Sequence, residues 1–487
     1  MRALIGMAMV VALAEGAFAQ DQGEVITKQY DDGSVYEGTF LNGLQDGTGT
    51  YRLPNGYEYT GAWVAGEIKG HGVARYPNGS VYEGNFSKGK PEGKGKITFA
   101  DGGSYEGDWV SAKMTGQGKA IYANGSVYIG GFEDGKHQGR GAITDKSGYR
   151  YDGDWVAGEK QGQGKITYPD GTAYDGSLVQ GAREGSGTLK LPNGLVYIGA
   201  WKAGQINGLG KLTQPNGDVY EGDFVDGLRV GKGKVTYANG DVYKGMMKAD
   251  KREGAGDFIG KDGSSYSGDW VAGLMDGQGK LTYPDGSVYQ GGFKAGQPDG
   301  AGKITYADGS EYDGQWKAGA ITGHGKANYT NGSTYEGTLV SAKPEGIGTM
   351  TYADGFVYEG GWKAGKHDGV GTATWSDGTV YKGDFKAGLR DGKGELSQPD
   401  GFSYSGDWKG GQMDGFGKAT YPSGDVYEGG FAKDKREGAG KLTYKNGKFS
   451  EGLWKAGVLS APLPAVPPAP TEGVATPPVA PQAPTNP

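Results

Sequence analysis

Hydrophobic and polar residues alternate in short bursts along this chain, and the bursts recur at a fixed distance. Over residues 81–86, Tyr82, Gly84 and Phe86 fall on one side and Glu83 and Asn85 on the other, the period of two that marks a half-buried strand. The stretch SKGKPEG then reverses the chain. GKGKITF alternates again, with Gly93, Gly95, Ile97 and Phe99 on a common side. Each unit of this kind is expected to be a β-hairpin.

The unit repeats every 23 residues. From Tyr36 that step lands on tyrosine eighteen times, ending at Tyr427, before Ser450 closes the series in a half copy. With each tyrosine counted as zero, glycine fills +2, +11, +13 and +20 of every complete copy, and +4 is nearly always large and apolar. Trp and smaller apolar residues alternate at +4 until the order slips at Met247, so residues 246–260 are expected to be a weak point.

Parity sets the turn between copies. Paired residues of an antiparallel ladder point to one face, so Phe99 and Tyr105 share the apolar face only if an odd number of residues turns the chain. Proline also forbids a two-residue type I′ turn, whose first residue needs positive φ. YPNGSVYEGNF therefore predicts a three-residue loop, with Pro77 and Asn78 in a type I turn and Gly79 as a left-handed bulge. In this register Gly84 faces Gly95, leaving a trough without side chains over which Tyr and Trp rings can lie.

The string YEGxWxxGxxxGxG at a 23-residue step resembles the MORN (membrane occupation and recognition nexus) repeat family over about residues 30–457. The resemblance implies an all-β fold, an elongated twisted antiparallel meander of about 19 hairpins with one aromatic-lined face. It also implies a scaffold that dimerises, holds a partner segment or associates with membranes. The candidate interaction face is lined by Tyr59, Trp63, Tyr105, Trp109, Tyr151, Trp155, Trp201, Trp270, Trp316, Trp362 and Trp408.

Composition narrows the function. Of 487 residues 100 are glycine and 11% are aromatic, without the Gly-X-Y period of collagen and with too much apolar area for a disordered chain. The net charge of −7 speaks against a nucleic-acid partner, and the absence of cysteine excludes disulfides and metal–thiolate sites. His71, His137, His324 and His367 have no metal-ligand spacing, so neither a metal nor a cofactor is expected. No Ser, His and Asp set stands apart from the repeat, and the chain reads as a non-enzyme.

The acidic residue at +1 opposes +14, which suggests solvated cross-strand pairs Glu83–Lys96, Glu106–Lys119, Asp152–Lys165 and Glu221–Lys234. Lys90, Lys113, Lys136, Lys160, Arg183, Arg229, Lys251, Arg252, Arg390, Lys435 and Arg436 are expected along a basic hairpin edge. Asp101, Asp170, Asp262, Asp285 and Asp308 mark the opposite edge as turn residues rather than calcium ligands.

The first nineteen residues read as a secretory signal, with an apolar run from Ala3 to Ala14 and cleavage between Ala19 and Gln20. The product would be periplasmic or secreted. Residues 458–487 are expected to be a disordered Pro/Ala-rich tail, and residues 461–487 alone hold 10 of the 21 prolines, a polyproline-type tether or filler. The expected function is an exported scaffold that binds a protein partner or itself; the alternative is a module for envelope glycan or anionic lipid headgroups.

Overall fold

A computed structural model describes residues 23–463, so Ala19, Gln20 and the segment from Pro464 on lie outside the described residues. The chain forms two compact units, one up to Arg252 and one from Glu253 on. Each is an antiparallel meander in which successive strands pair in chain order. The described residues contain 39 strands and no helix.

One copy illustrates how the residues enforce this. Strand Val81–Ser87 pairs with Lys90–Thr98, and Lys90–Thr98 pairs with Ser104–Val110 of the next copy. Tyr82 stands opposite Ile97 and Gly84 opposite Gly95; across the junction Ile97 faces Tyr105 and Gly95 faces Gly107. In the second unit Tyr404 faces Ala419 and Gly406 faces Gly417.

The turn between copies has the expected form. Gly79 N–H donates to the Tyr76 carbonyl at 2.9 Å, Tyr76 N–H donates to the Ser80 carbonyl at 2.8 Å, and Gly79 has φ 87°. The side chain of Asn78 adds a bond, accepting from Ser80 N–H at 3.0 Å, and Asp101, Asp170, Asp262, Asp285 and Asp308 do the same two residues ahead. Phe99 lies on the apolar side with Tyr105, as parity requires. It closes the turn, half-exposed, while Ile97 takes the position against Tyr105.

The turn within a copy is tighter than SKGKPEG suggests. Ser87 pairs directly with Lys90, and Lys88 and Gly89 have φ 49° and 73°, the two positive values of a type I′ turn. A bulge over residues 92–94, opposite Asn85, then absorbs the surplus length, and Gly93 takes φ 74° there.

The glycine trough holds the tyrosine. A Cβ placed on Gly95 would lie 2.1 Å from Tyr82 Oη, and one on Gly84 would lie 2.4 Å from the Gly95 Cα. Gly95→Val is therefore expected to cost about 1–3 kcal/mol, read as a lower urea midpoint, because Tyr82 has no free space to retreat into. Lys94→Val, one residue away on the outward side, should stay within about 0.5 kcal/mol of the parent.

Candidate functional site

The eighteen column tyrosines are 0–2% exposed and the nine tryptophans at +4 are 3–7% exposed. Each tyrosine hydroxyl donates to the carbonyl three residues on, as Tyr105 does to Asp108 at 3.0 Å and Tyr404 to Asp407 at 2.8 Å. Burial pushes the hydroxyls of Tyr59 and Tyr105 up to about 12. Trp109 stands edge-on between Tyr82 and Tyr105, at centroid distances of 5.1 and 5.3 Å, and its Nε1–H donates to the Gly95 carbonyl of the preceding copy at 3.0 Å. Trp408 makes the same bond to Gly394 at 3.1 Å.

Position +9 covers the rings. The strand begins at +8, so +9 points inward and lies over the tyrosine: His137 stacks on Tyr128 at 3.6 Å and 14°, and His367 on Tyr358 at 3.7 Å and 16°. Arg390 lies 4.1 Å from the Trp408 ring centroid and Arg436 4.1 Å from that of Trp454. Their Nη2 atoms donate to the carbonyls of Gly411 and Gly457, each at 2.7 Å.

These observations correct three expectations. Tyr59, Trp63, Tyr105, Trp109, Tyr151, Trp155, Trp201, Trp270, Trp316, Trp362 and Trp408 do not present a contact face: glycine backbone lies beneath them and +9 side chains close over them, so they are the core. The basic edge also divides. Lys90, Lys113, Lys136, Lys251 and Lys435 stand exposed, whereas Lys160, Arg183, Arg229, Arg252, Arg390 and Arg436 occupy +9 and pack on rings. The four cross-strand pairs stand in register without closing as ion pairs. Glu221 instead reaches Lys211 at 3.1 Å, and Asp152 reaches Arg140 and Arg150 at 3.2 and 3.0 Å.

Neighbouring hairpin tips are joined by groups the sequence pattern did not single out. The amide at +6 donates to a side-chain oxygen at +10 of the preceding copy, as Ser111 does to Glu92 and Ala364 to Glu345, both at 2.8 Å. The amide at +7 donates to the preceding +9 carbonyl, as Gly89 does to Ile68 at 3.1 Å. The signal was present: glycine recurs at +7 and a carboxylate or amide at +10.

What remains open is the outward face, carrying +1, +3, +12 and +14, and the turn edges. In the second unit the +12 position places Ile347, Val370 and Phe416 outward at 70%, 71% and 60% exposure. Val370 and Phe416 line one open groove with Lys382, Lys393 and Lys418. The four histidines are not gathered: His71 and His324 are at +12, His137 and His367 at +9. Among the described residues no three His, Asp or Glu side chains come together as metal ligands.

The MORN-repeat model matches eighteen successive segments, from residues 36–56 to 427–449. The chain belongs to the MORN-repeat family. The other similarities are partial. Rat (Rattus norvegicus) Alsin is 48% identical over 50 residues, 9% of this chain and 3% of Alsin, and human (Homo sapiens) Alsin is 44% identical over 50 residues with the same coverage. Among solved structures, the TCP domain of Drosophila melanogaster SAS-4 in complex with a proline-rich motif of Ana2 is 17% identical, covering 36% of this chain and 90% of that one at a TM-score of 0.22. Virginiamycin B lyase from Staphylococcus aureus is 11% identical, covering 59% and 93% at a TM-score of 0.11. These structural scores are too low to bear on fold or function.

This MORN array is an interaction scaffold of the repeat type, whose core is closed copy by copy. Arg390→Ala should cost about 1–2 kcal/mol, because it removes a stacked cation and a hydrogen bond to the part-buried Gly411 carbonyl. Lys366→Ala on the exposed edge should change the urea midpoint by less than about 0.5 kcal/mol. Burial pushes His137 and His367 down to about 4, so the fold keeps them neutral where the unfolded chain takes up protons, below about pH 6.5. Stability should fall as pH drops from 6.5 to 4, and His137→Gln with His367→Gln should flatten that slope in urea titrations at pH 7 and 4.5.

Proposed function

We propose that this protein is an exported, non-enzymatic scaffold, periplasmic or secreted, that binds a protein partner or a second copy of itself through the outward face of its repeats. The observation that carries this reading is the trio Ile347, Val370 and Phe416, large apolar side chains held out in water by a ladder whose own core is already closed. Val370 and Phe416 bracket a groove that Lys382, Lys393, Glu395 and Lys418 also line, and a surface on which exposed apolar and charged side chains interleave fits a protein contact better than it fits bare solvent. Non-catalytic action is supported by the spread of titratable groups, which recur once per copy and serve turns, tips and ring stacks. Export is supported by the signal-like first nineteen residues.

Sedimentation velocity over a hundredfold concentration range should show association that Val370→Asp with Phe416→Asp abolishes while the circular dichroism stays unchanged. A monomer at every concentration that instead shifts its Trp fluorescence with phosphatidylglycerol vesicles or peptidoglycan fragments would decide for the envelope-binding alternative. Cell fractionation with N-terminal sequencing tests export, the expected mature chain beginning at Gln20.

A further inference from the structure

One row on the ring-bearing face lacks a side chain at a single place. Along the turn edge of that face, the residue two before each column tyrosine stands between the +17 residue of the preceding copy and that of its own. In the second unit Phe356 fills this place, its ring 5.2 Å from Tyr352 on one side and 5.2 Å from Trp375 on the other. Tyr57 lies 5.7 Å from Tyr76 in the same way, and Phe402 5.9 Å from Tyr421. Gly103 is the only glycine at this position in the array.

A ring at that position needs room beside it. Its diagonal neighbour is +15, the residue that opposes the column tyrosine, and aromatic side chains reach that far across a ladder. Three of the four aromatic residues at the position sit diagonal to alanine: Tyr57 to Ala74, Phe356 to Ala373 and Phe402 to Ala419. Tyr149, beside Ile166, is the fourth. The copy that starts at Tyr105 has the alanine, Ala120, and no ring. Where Ala327 recurs without a ring, Ser310 still places a side chain there, its hydroxyl donating to Asp308 Oδ1 at 2.6 Å.

The vacancy is a half-open cleft of about 300 Å³ in the first unit, lined by Phe99, Tyr122, Met114, Phe132 and Ala120. Phe99 and Tyr122 flank it as Tyr352 and Trp375 flank Phe356. Phe99 N–H donates to the Gly103 carbonyl at 2.8 Å, and Ser104 pairs with Ile121, which sets Tyr122 on the far side. His137 Nε2 anchors the Tyr122 hydroxyl at 2.6 Å. Apolar cavities of about 150 Å³ already take a benzene ring. Asp101 stands at the rim, its Oδ1 accepting from Gly103 N–H at 2.8 Å, as Asp354 Oδ1 accepts from Phe356 N–H at 2.9 Å. A carboxylate there favours a ligand that donates a hydrogen bond and repels one that carries negative charge.

We propose that this cleft binds a free, uncharged single-ring aromatic molecule bearing a hydroxyl or amine, a phenol in the simplest case. Its ring takes the place between Phe99 and Tyr122 that Phe356 takes between Tyr352 and Trp375. The flanking rings supply the apolar contact and the Asp101 carboxylate the polar one, the division of labour of a small-molecule site. The inference does not rest on the scaffold reading, which uses the outward face of the sheet.

The test titrates the full chain with para-fluorophenol and follows the fluorine NMR signal. Binding should saturate with a Kd of about 1 mM or tighter, the range open to a ligand of this size. Para-fluorobenzoate should bind about tenfold more weakly or worse, because its charge meets Asp101. Gly103→Phe supplies the ring from the chain itself, and Ala120→Ile fills the floor with the residue that Ile97 and Ile143 place at +15 of the two adjoining copies. Each should weaken binding about tenfold or more. Adding Phe356→Gly to Gly103→Phe opens the equivalent place beside Ala373 and should restore binding. No saturation on the parent, equal binding of para-fluorobenzoate, undiminished binding by Ala120→Ile, or a folded double variant that stays silent would each overturn the proposal. A Cβ on Gly103 would lie 3.0 Å from Asp101 Oδ1 and 3.1 Å from the Ile121 carbonyl, so Ala120→Ile decides the matter even if Gly103→Phe fails to fold.

Discussion

Everything in this array depends on a tyrosine ring lying flat on glycine backbone. The ring of each column tyrosine occupies the space a Cβ at +2 or +13 would need, so two glycines in strands that otherwise disfavour them are the condition for burying the most fully enclosed side chain in the copy. The hydroxyl then has to find an acceptor, and the carbonyl three residues on, opposite the bulge, supplies it. The edge-on tryptophan follows from the same arrangement, because its indole N–H reaches the carbonyl of a glycine in the copy before. No copy is complete alone: its ring pairs, its indole bond and its tip amides all close on the preceding copy, which is the nearest-neighbour economy of a solenoid.

Much of this was legible in the residues. Proline at a turn and the parity of apolar positions led to the three-residue loop and to the register of Tyr82 against Ile97, because both follow from backbone geometry that a side chain cannot alter. Coverage of the rings was not legible. Parity assigns a residue to a side of the sheet and leaves open what lies above it, and Arg390 or His137 read as loop residues until the tip turn proves to be two residues long. Cross-strand ion pairs failed for a related reason: each acid has a neighbouring strand on both sides, so Glu221 closes on Lys211 directly opposite it on the preceding strand, while Asp152 reaches diagonally to Arg140 and along its own strand to Arg150.

The division between strict and variable positions carries functional meaning. Positions 0, +2, +11, +13 and +20 hold one residue type in every complete copy because each meets a geometric demand that recurs in each copy. A surface that distinguishes one partner from another cannot be built from them. Position +12 varies from Lys94 and Arg140 to Leu209, Val370 and Phe416, and these side chains project from a ladder that does not need them. Specific contact therefore has to be encoded there and at the edges, not in the motif by which the family is recognised.

The basic edge illustrates how far the fold itself consumes charge. Six of the eleven cations expected there lie over rings at +9, where burial lowers the Lys160 ammonium and the Arg390 guanidinium from their ordinary ranges. Carboxylates at +10 accept the tip amides, and Asp299 binds Lys317 as well at 3.4 Å. Among the lysines left at +8, Lys113 pairs with Asp134 of the next copy at 3.1 Å, and the edge carries both signs of charge. An anionic polymer gains little from a strip of that kind, because counterion release requires an uncompensated row of cations. Contact through apolar residues at the outward face has no such offset, which is why the side chains at +12 outweigh the lysines in the functional reading.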